Sequence, residues 1–358
     1  MDNKKYFIPS PIVNKKEEES LSNLAKRYEK IISPSALTKV SNKIVDITPS
    51  KVKNALAEVK DGITELELYS KCMEEVAKGF EVIEKTAAKL SISEQTIVSK
   101  VNETTKRNEI TSINEICLAR EYEIAKLVSS YKTKDLALAL TEGAATGAAG
   151  FAGLPFNIVL STFLFYRAVQ SVAMYYGYDT KNNPDELVIA GEVFMNAINP
   201  ASKGVNEANS LICKVMTLTE TTVVRQTAKK TWADMANQGG LCLLITQIRA
   251  LANKAAKKAL EKAGQKELEK TVFTGVLEQL GKNFSKKAVG KAMPVFGAII
   301  GGLFDTSQMN KILEYADIFY RKRFIAEKEV RIYQLVNAEN DEIIIDVDVD
   351  EIHEIDED

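Results

Sequence analysis

Residues Asp135 to Arg167 read DLALALTEGAATGAAGFAGLPFNIVLSTFLFYR, the longest nearly uncharged run of the chain. The thirty-one residues between its charged ends contain one charged side chain, Glu142. A run this long and apolar could cross a bilayer, but four glycines, a proline and the carboxylate interrupt it. The chain can turn at Gly153-Leu154-Pro155, because glycine relaxes the backbone and a residue before proline is driven out of the α region. We therefore expect an antiparallel helical hairpin whose second helix starts at Pro155 and ends at a left-handed Gly177.

The hairpin predicts a partner for its carboxylate. In an antiparallel pair, residues at equal distances from the turn lie side by side, and this places Glu142 beside Arg167. We predict that the two side chains pair, or that both join one polar network with Asn157 and Gln170. An unpaired buried carboxylate is costly, so the sequence has a physical reason to supply a cation there. The pair has two interpretations, a structural ion pair and a functional site.

Two G-x-x-x-G spacings predict a close approach of helix backbones. Gly143 and Gly147 form the first inside the hairpin, and Gly297 and Gly301 form the second after Pro294. Small residues let two helices pack closely, in soluble cores as well as in membranes. We expect the two segments to pack near each other.

The rest of the chain predicts an all-α protein, since no alternating strand pattern appears before the C-terminal tail. Helices are expected over about 50–90, 93–130, 184–198, 206–237, 241–263, 266–282 and 294–335, and in an amphipathic stretch before Ser33 with Leu21, Leu24, Tyr28 and Ile31 on one stripe. We predict an N-terminal arm at 1–34, a multi-helix domain built around the hairpin at 35–335, and an acidic tail at 336–358 that is disordered when alone.

The composition limits the chemistry. The one histidine, His353, lies in the acidic tail, which removes imidazole-dependent catalytic triads and most histidine-ligated metal sites. Four cysteines stand far apart without a C-x-x-C pair, so we interpret them as buried thiols of a cytoplasmic protein. The glycine-rich turn lacks the G-K-[ST] and G-x-G-x-x-G patterns of phosphate-binding loops. We expect no cofactor and no metal.

A net charge of −2 conceals two opposite blocks. Residues 225–291 carry fourteen Lys/Arg and five Asp/Glu, whereas residues 339–358 carry eleven Asp/Glu and no Lys/Arg. In the basic block, lysines recur every four residues and would form a cationic stripe on a continuous helix: Lys254, Lys258, Lys262, Lys266 and Lys270. The stripe predicts contact with an anionic membrane surface, and the alternative is a solvated helix face. No nucleic-acid partner is expected, because the basic block lacks interleaved aromatic residues.

Two segments resemble the signature regions of the EcsC family. They are TEGAATGAAGFAGLPFNIVLSTFLFYRAVQSVAMYYGYD and MPVFGAIIGGLFDTSQMNKILEYADIFYRKRF, in the family's order, within a resemblance over about residues 35–328. The family is named for a protein encoded beside an ABC transporter, and the resemblance brings no catalytic residue set. One position after the turn that is often Asp in relatives is Asn157 here. The resemblance therefore implies a connection with a membrane transporter rather than a reaction.

Three functions stay open. The first is a non-enzymatic cytoplasmic protein that associates peripherally with the membrane, or with a membrane transporter, through the apolar hairpin and the basic face. The second is a soluble helical scaffold that binds a protein partner through its acidic tail, where Ile345, Val347 and Val349 alternate with aspartates as in a strand added to a partner's sheet. The third is a hydrolase that uses Glu142 or Asp179 with a nearby hydroxyl. The missing catalytic motifs favour a protein that is not an enzyme.

Overall fold

The computed structural model describes residues 6–32, 65–87, 92–106, 109–132, 154–198, 207–217, 241–263, 267–287 and 306–337. These residues form ten α-helices and one 3₁₀ helix, and no strand occurs among them. In chain order the helices are α1 (Lys15–Ile32), α2 (Glu65–Ala87), α3 (Glu94–Thr105), the 3₁₀ helix (Ile113–Leu118), α4 (Glu121–Ser130), α5 (Leu154–Tyr175), α6 (Pro184–Ile198), α7 (Glu207–Thr217), α8 (Leu241–Ala263), α9 (Leu268–Lys287) and α10 (Thr306–Asn337). The predicted all-α class is confirmed.

Helix α10 lies at the centre of the fold. It packs against α1, α4, α5, α6, α7, α8 and the 3₁₀ helix. Every side chain from Tyr315 to Tyr320 is buried, so this part of the helix has no solvent-facing stripe. Its charged side chains must therefore find their partners inside the protein, because a buried charge without a partner is costly.

Helix α5 is the long apolar helix of the predicted hairpin. It is the one described helix that is long and apolar enough to cross a bilayer, over Ile158–Tyr175 with a mean hydropathy of 1.3. Neighbouring helices cover this segment, since 83% of it is buried inside the protein. Its Phe163 ring meets Phe80 of α2 and Phe273 of α9 edge to face, at centroid distances of 5.3 and 4.8 Å. The packing is that of a core helix.

The C-terminal end of α5 is the left-handed glycine that the sequence predicts. Gly177 has a φ of 82°. Its N–H donates to the Met174 carbonyl at 2.9 Å, and the next N–H along the chain completes a Schellman motif. Arg331 of α10 donates to the Gly177 carbonyl at 2.7 Å and to the preceding carbonyl at 3.0 Å. A buried guanidinium thus satisfies carbonyl oxygens at the end of this helix.

The start of α6 also follows its sequence signal. Asn183 Oδ1 accepts a hydrogen bond from the Asp185 N–H at 3.0 Å, and the helix begins at Pro184. A capping side chain followed by a residue with a fixed φ is a favourable helix start. The predicted bounds of α6 and α8 agree with the structure.

The prediction of one helix over residues 93–130 is wrong. Helix α3 ends where Lys106 takes a left-handed φ of 54°. Asn102 then donates to the Ile110 carbonyl at 2.8 Å and accepts from the Ile110 N–H at 3.3 Å, which ties the end of α3 to the next segment. Polar side chains that bond to nearby backbone groups compete with the helical pattern in this way. The segment consequently becomes α3, the 3₁₀ helix and α4.

Helix α1 packs on the body of the protein. Leu21, Leu24 and Tyr28 of its predicted stripe are buried, and Ile31 is partly buried against them. These side chains belong to the same core cluster as those of α5 and α10. The amphipathic pattern therefore identifies the face that packs on the core.

The described cysteines are mostly interior. Cys72 and Cys117 are buried and Cys213 is partly buried, and no disulfide joins these described cysteines. Burial raises the pKa of Cys72 to about 12, which keeps it in the protonated form. The prediction of buried thiols is confirmed for Cys72 and Cys117.

Candidate functional site: buried charges on α10 and a lysine face on α8

Arg167 and Gln170 of the predicted hairpin network share one partner, Glu269 of α9. Arg167 Nη2 lies 2.6 Å from Glu269 Oε2, and Gln170 Nε2 donates to Glu269 Oε1 at 3.0 Å. Glu84 of α2 stands farther from Arg167, at 3.7 Å. Burial raises the pKa of Glu269, although the Arg167 charge and the Gln170 hydrogen bond act in the opposite direction. The cluster connects α5 to α9 and α2.

Several predicted site residues lie outside the described part of the chain. They are Glu142, the side chain of Asn157, Lys266, and the glycines Gly143, Gly147, Gly297 and Gly301. Their predicted contacts stay predictions, as does any role of the tail at 338–358. The described chain has a close glycine contact at a position that no spacing indicated. A Cβ on Gly191 of α6 would lie 3.0 Å from Val272 Cγ1 of α9.

Asp179, a candidate general base in the hydrolase hypothesis, forms a turn. Its Oδ1 accepts the N–H groups of Lys181 and Asn182 at 3.0 and 3.1 Å, and its Oδ2 accepts from the Asn182 side chain at 2.7 Å. This is the geometry of an Asx turn, so the structure gives this carboxylate a local structural role. Within the ranges that the structure describes, no group of three His, Cys, Asp or Glu side chains is arranged to hold a metal ion.

The most concentrated polar feature is a set of ion pairs that we call the α10 charge network. Its members on α10 are Glu314, Asp317, Arg321, Arg323, Glu327 and Lys328. Partners come from α1, α4, α6 and α8, and one more is Lys132 after α4. The network links elements from both ends of the described chain, and our sequence analysis did not predict it.

Glu17 of α1 is the most fully coordinated carboxylate of the network. Its Oε1 accepts from Lys328 Nζ at 2.5 Å and from the Glu121 N–H at 3.0 Å. Its Oε2 accepts from Arg120 Nη1 and from the Asn14 N–H, both at 3.0 Å. Both Glu17 and Lys328 have side chains that are 0% exposed. All four acceptor positions of the carboxylate are therefore occupied.

The pKa values of Glu17 and Lys328 both lie below their usual values. Burial alone would raise the pKa of Glu17, but the Lys328 charge and the surrounding hydrogen bonds hold it below its usual value. Burial lowers the pKa of Lys328 and the nearby charge of Arg120 adds to that effect, while the charge and hydrogen bond of Glu17 offset it only in part. Glu17 is the better compensated partner, since it accepts four hydrogen bonds.

Asp317 lies in the same network, one helical turn from Arg321. Arg27 of α1 approaches its Oδ2 at 2.7 Å, and Lys132 lies 3.6 Å from the same oxygen. The Tyr176 hydroxyl donates to Oδ1 at 2.6 Å. Burial would raise the pKa of Asp317, but the neighbouring cations and the hydroxyl hold it below the usual value. The carboxylate is thus ionised in the core.

A third part of the network holds α6 and α8 against α10. Arg323 donates to both oxygens of Glu186, at 2.6 and 2.7 Å, and to Glu327 at 3.0 Å. Arg249 of α8 reaches Glu327 at 2.7 Å. The Arg323 guanidinium also stacks on the Tyr178 ring, 4.0 Å from its centroid. A bidentate contact of this kind fixes the relative orientation of Arg323 and Glu186 as well as pairing their charges.

Lys322 has a different role from its charged neighbours. Its side chain is fully buried, and Nζ donates to the Met216 carbonyl near the end of α7. The last carbonyls of a helix lack partners within the helix, so this contact caps α7. Burial lowers the pKa of Lys322 to about 8.

Acid should weaken the fold through Asp317. A carboxylate with a depressed pKa in the folded state contributes stability above its unfolded pKa, and that contribution is lost as the pH falls through the folded value. We expect Asp317→Asn to lower the free energy of unfolding by about 2–3 kcal/mol at pH 7. The difference from the unaltered protein should shrink as the pH falls below the ordinary aspartate value of 3.8. Urea unfolding between pH 3 and pH 7 measures both quantities.

The control for this prediction is Glu29→Gln, which neutralises an exposed carboxylate on α1. The difference in free energy of unfolding between this variant and the unaltered protein should stay the same at every pH. A constant deficit of the Asp317 variant at every pH would show that the folded state does not depress the pKa of this aspartate.

The lysine face lies on the C-terminal half of α8. Its members are Lys254, Lys257, Lys258 and Lys262, all of which are exposed. The opposite side of the helix carries Ile248, Ala252 and Ala256, which are buried. The stripe predicted from residue spacing is divided between two helices, because α8 ends at Ala263 and α9 begins at Leu268. Lys270 lies on α9 and is partly buried.

The fold and its buried charges define an all-α protein in which a central helix is held by ion pairs to its neighbours. A model of the EcsC protein family matches residues 14–325 of the chain. The protein belongs to the EcsC family. The match begins ahead of α1, so this helix is part of the family region and the start expected near residue 35 is too late. Comparisons with curated proteins and with solved structures found no match.

Proposed function

We propose that this EcsC family protein binds the anionic inner surface of a membrane as a peripheral cytoplasmic protein, beside a membrane transporter. The lysine face of α8 is the observation that carries the proposal. Four exposed lysines stand there with one exposed acid, Glu261, which gives the surface a net charge of +3. None of the four lysines forms an ion pair with a described residue. No described carboxylate neutralises these lysines at salt-bridge distance, although Lys257 is near enough to Asp185 of α6 for its charge to act on the pKa of that carboxyl.

The exposed side of α2 shows what an ordinary solvated helix face of this protein looks like. Lys71, Lys78 and Lys85 are exposed there, among the acids of the same helix. Lys78 pairs with Glu74 at 3.1 Å, one helical turn away. Such pairing neutralises the surface and contributes little energy. The lysine face of α8 lacks this compensation, which favours an anionic partner.

Peripheral rather than inserted binding is supported by the packing of α5. That helix has the composition of a membrane span, but its side chains are engaged with α2, α6 and α10. A helix already covered by protein gains little by entering lipid, because the hydrophobic stabilisation has already been obtained. We therefore assign membrane contact to charged surface groups, each of which adds about 1 kcal/mol near an anionic leaflet.

Neutralising the lysine face should weaken vesicle binding. We expect the triple substitution Lys254→Gln, Lys258→Gln and Lys262→Gln to lower the apparent affinity for anionic vesicles roughly 100-fold at low salt, since three charges are lost. Co-sedimentation with phosphatidylserine-containing vesicles measures this effect. Phosphatidylcholine vesicles and a salt series report how much of the binding is electrostatic.

The matched control removes the same charge from α2. Lys71→Gln, Lys78→Gln and Lys85→Gln also neutralise three exposed helical lysines. This triple variant should bind anionic vesicles within about threefold of the unaltered protein, because its lysines stand among acids. Equal losses in the two triple variants would contradict a dedicated lysine face, and failure of the unaltered protein to sediment with anionic vesicles would contradict the function itself.

A further inference from the structure

Large apolar side chains that are exposed in the described chain gather at one place. They are Phe7, Ile8, Tyr333 and Val336, with exposed fractions of 64%, 43%, 57% and 45%. Two belong to the non-helical segment 6–14 ahead of α1, and two belong to the last turns of α10. We call this group the apolar tip.

The two halves of the apolar tip are held together by a small hydrophobic cluster. Cys117, Leu118 and Ile332 form its buried centre, and Tyr6, Ile12 and Leu335 pack against it. Each exposed residue of the tip is next in sequence to one of these packed residues, or two positions away. The exposed side chains therefore project from a supported base.

The segment that carries Phe7 and Ile8 is also tied to the body by its backbone. Arg120 Nη1 donates to the Pro11 carbonyl at 2.9 Å and to the Ile12 carbonyl at 3.1 Å. The same guanidinium nitrogen contacts the buried Glu17 carboxylate at 3.0 Å. The position of the tip is thus connected to the α10 charge network.

We propose that the apolar tip inserts into the interfacial layer of an anionic bilayer and anchors the protein there; this inference rests on the proposed membrane function. The four residues are between 43% and 64% exposed, and a fluid bilayer can accommodate exposed apolar side chains without a preformed groove. Lys15 and Lys16 are exposed directly after the segment and supply positive charge there, with Lys16 Nζ 3.9 Å from the centre of the Tyr122 ring, whereas the acidic residues of 339–358 follow α10 in the sequence. Apolar burial and attraction to anionic lipid together strengthen interfacial binding.

The aromatic members suit this location. Tyrosine combines an apolar ring with a polar hydroxyl, and such residues are enriched at the boundary between lipid and water. The anchor and the lysine face of α8 would make different contributions, since the insertion of apolar groups persists at salt concentrations that screen charges. The two parts can consequently be separated by experiment.

Insertion is tested with a tryptophan at the tip. The full-length chain carries Phe7→Trp in a Trp232→Phe background, so that one tryptophan remains, and it is mixed with anionic vesicles that contain brominated lipid. We expect the fluorescence of the new tryptophan to shift to shorter wavelength and to be quenched by the bromine atoms. The matched control is Gln95→Trp in the same background, at an exposed position of α3, and its fluorescence should be unaffected.

A second variant tests the energetic role of the tip. Phe7→Ser with Ile8→Ser should reduce the fraction bound to anionic vesicles about tenfold or more at physiological salt, because two apolar side chains no longer enter the interface. The same variant should keep the thermal unfolding of the unaltered protein, since both side chains are exposed.

Four outcomes overturn the proposal. Co-sedimentation without quenching would exclude insertion and leave the lysine face intact, whereas no co-sedimentation of the unaltered protein would remove the membrane function and the anchor together. A tryptophan at position 7 that is already shielded from acrylamide without vesicles would show that the chain's own terminal residues cover the tip. A concentration-dependent dimer that Phe7→Ser abolishes would assign the tip to a second copy.

Discussion

Replacing Glu17 with glutamine is expected to lower the free energy of unfolding by about 3–5 kcal/mol, because the substitution leaves the buried Lys328 without its carboxylate. The Lys328 ammonium and the Glu17 carboxylate lie 2.5 Å apart and are fully buried. Water therefore cannot solvate the ammonium once the carboxylate charge is removed. Glutamine keeps the shape of the side chain but presents an amide group where a carboxylate oxygen accepted hydrogen bonds. Urea denaturation at pH 7 measures the loss.

A double-mutant cycle separates the pair from its surroundings. Lys328→Met alone leaves Glu17 with Arg120 and two backbone donors, so it should cost less than Glu17→Gln alone. The double variant should be more stable than the sum of the two single effects predicts, because the charges are removed together. Glu19→Gln, on the exposed side of the same helix, is the control and should change stability by less than about 0.5 kcal/mol. Additive single effects would contradict a direct coupling of the two charges.

Gly177→Ala is expected to destabilise the protein by about 2–5 kcal/mol, through backbone strain and loss of the hydrogen bonds from Arg331. The position has a φ of 82°, which residues with a Cβ rarely adopt. A Cβ there would lie 2.3 Å from Arg331 Nη2 and 2.9 Å from the Ile113 carbonyl oxygen. The guanidinium would have to withdraw from the end of α5, and the backbone oxygen cannot move as easily. Thermal and urea unfolding report the combined effect.

Gly275→Ala is the matched control for this prediction. Gly275 lies inside α9, and an added Cβ would have no atom within 4 Å. The same chemical change should therefore stabilise the protein by about 0.5–1 kcal/mol, because alanine is the better helix former. Equal effects at the two positions would show that neither the left-handed backbone nor Arg331 matters at Gly177.

Local signals predicted several helix boundaries well. The Asn183 cap and Pro184 mark the start of α6, and Gly177 marks the end of α5, because each depends on backbone geometry that few residue types provide. The buried stripe of α1 was visible for a related reason, since a half-buried helix must repeat apolar residues every three or four positions. Predictions of this kind need only the neighbouring residues.

The tertiary partners of charged residues could not be predicted in the same way. Arg167 has Glu269 as a described partner, 102 residues away, and no spacing rule connects the two. The α10 charge network was equally hidden, because its partners come from separate helices. One signal was present in DIFYRKRFIAEKEVR, where charged residues occur among aromatic and aliphatic ones without a single polar face. Such a pattern indicates a helix that is surrounded by protein and needs buried counter-ions.

The division of residues 93–130 was missed because periodicity alone does not detect a side chain that replaces a helical hydrogen bond. Asn102 satisfies both backbone groups of Ile110, which makes a turn as favourable as another helical turn. The lysine spacing at 254–270 does not lie on one continuous helix. Lys254, Lys258 and Lys262 are exposed on one face of α8, whereas Lys270 lies on α9.

The contact between Glu17 and Lys328 also constrains the order of events during synthesis. The two residues are separated by 311 positions, and both are buried only when α1 and α10 have come together. At about 5–20 residues per second, a ribosome needs roughly 15–60 s to make the chain between them. During that interval Glu17 lacks Lys328, and α1 lacks the part of its packing surface that α10 provides. The native arrangement of the first helix is therefore completed only after the last described helix has been translated.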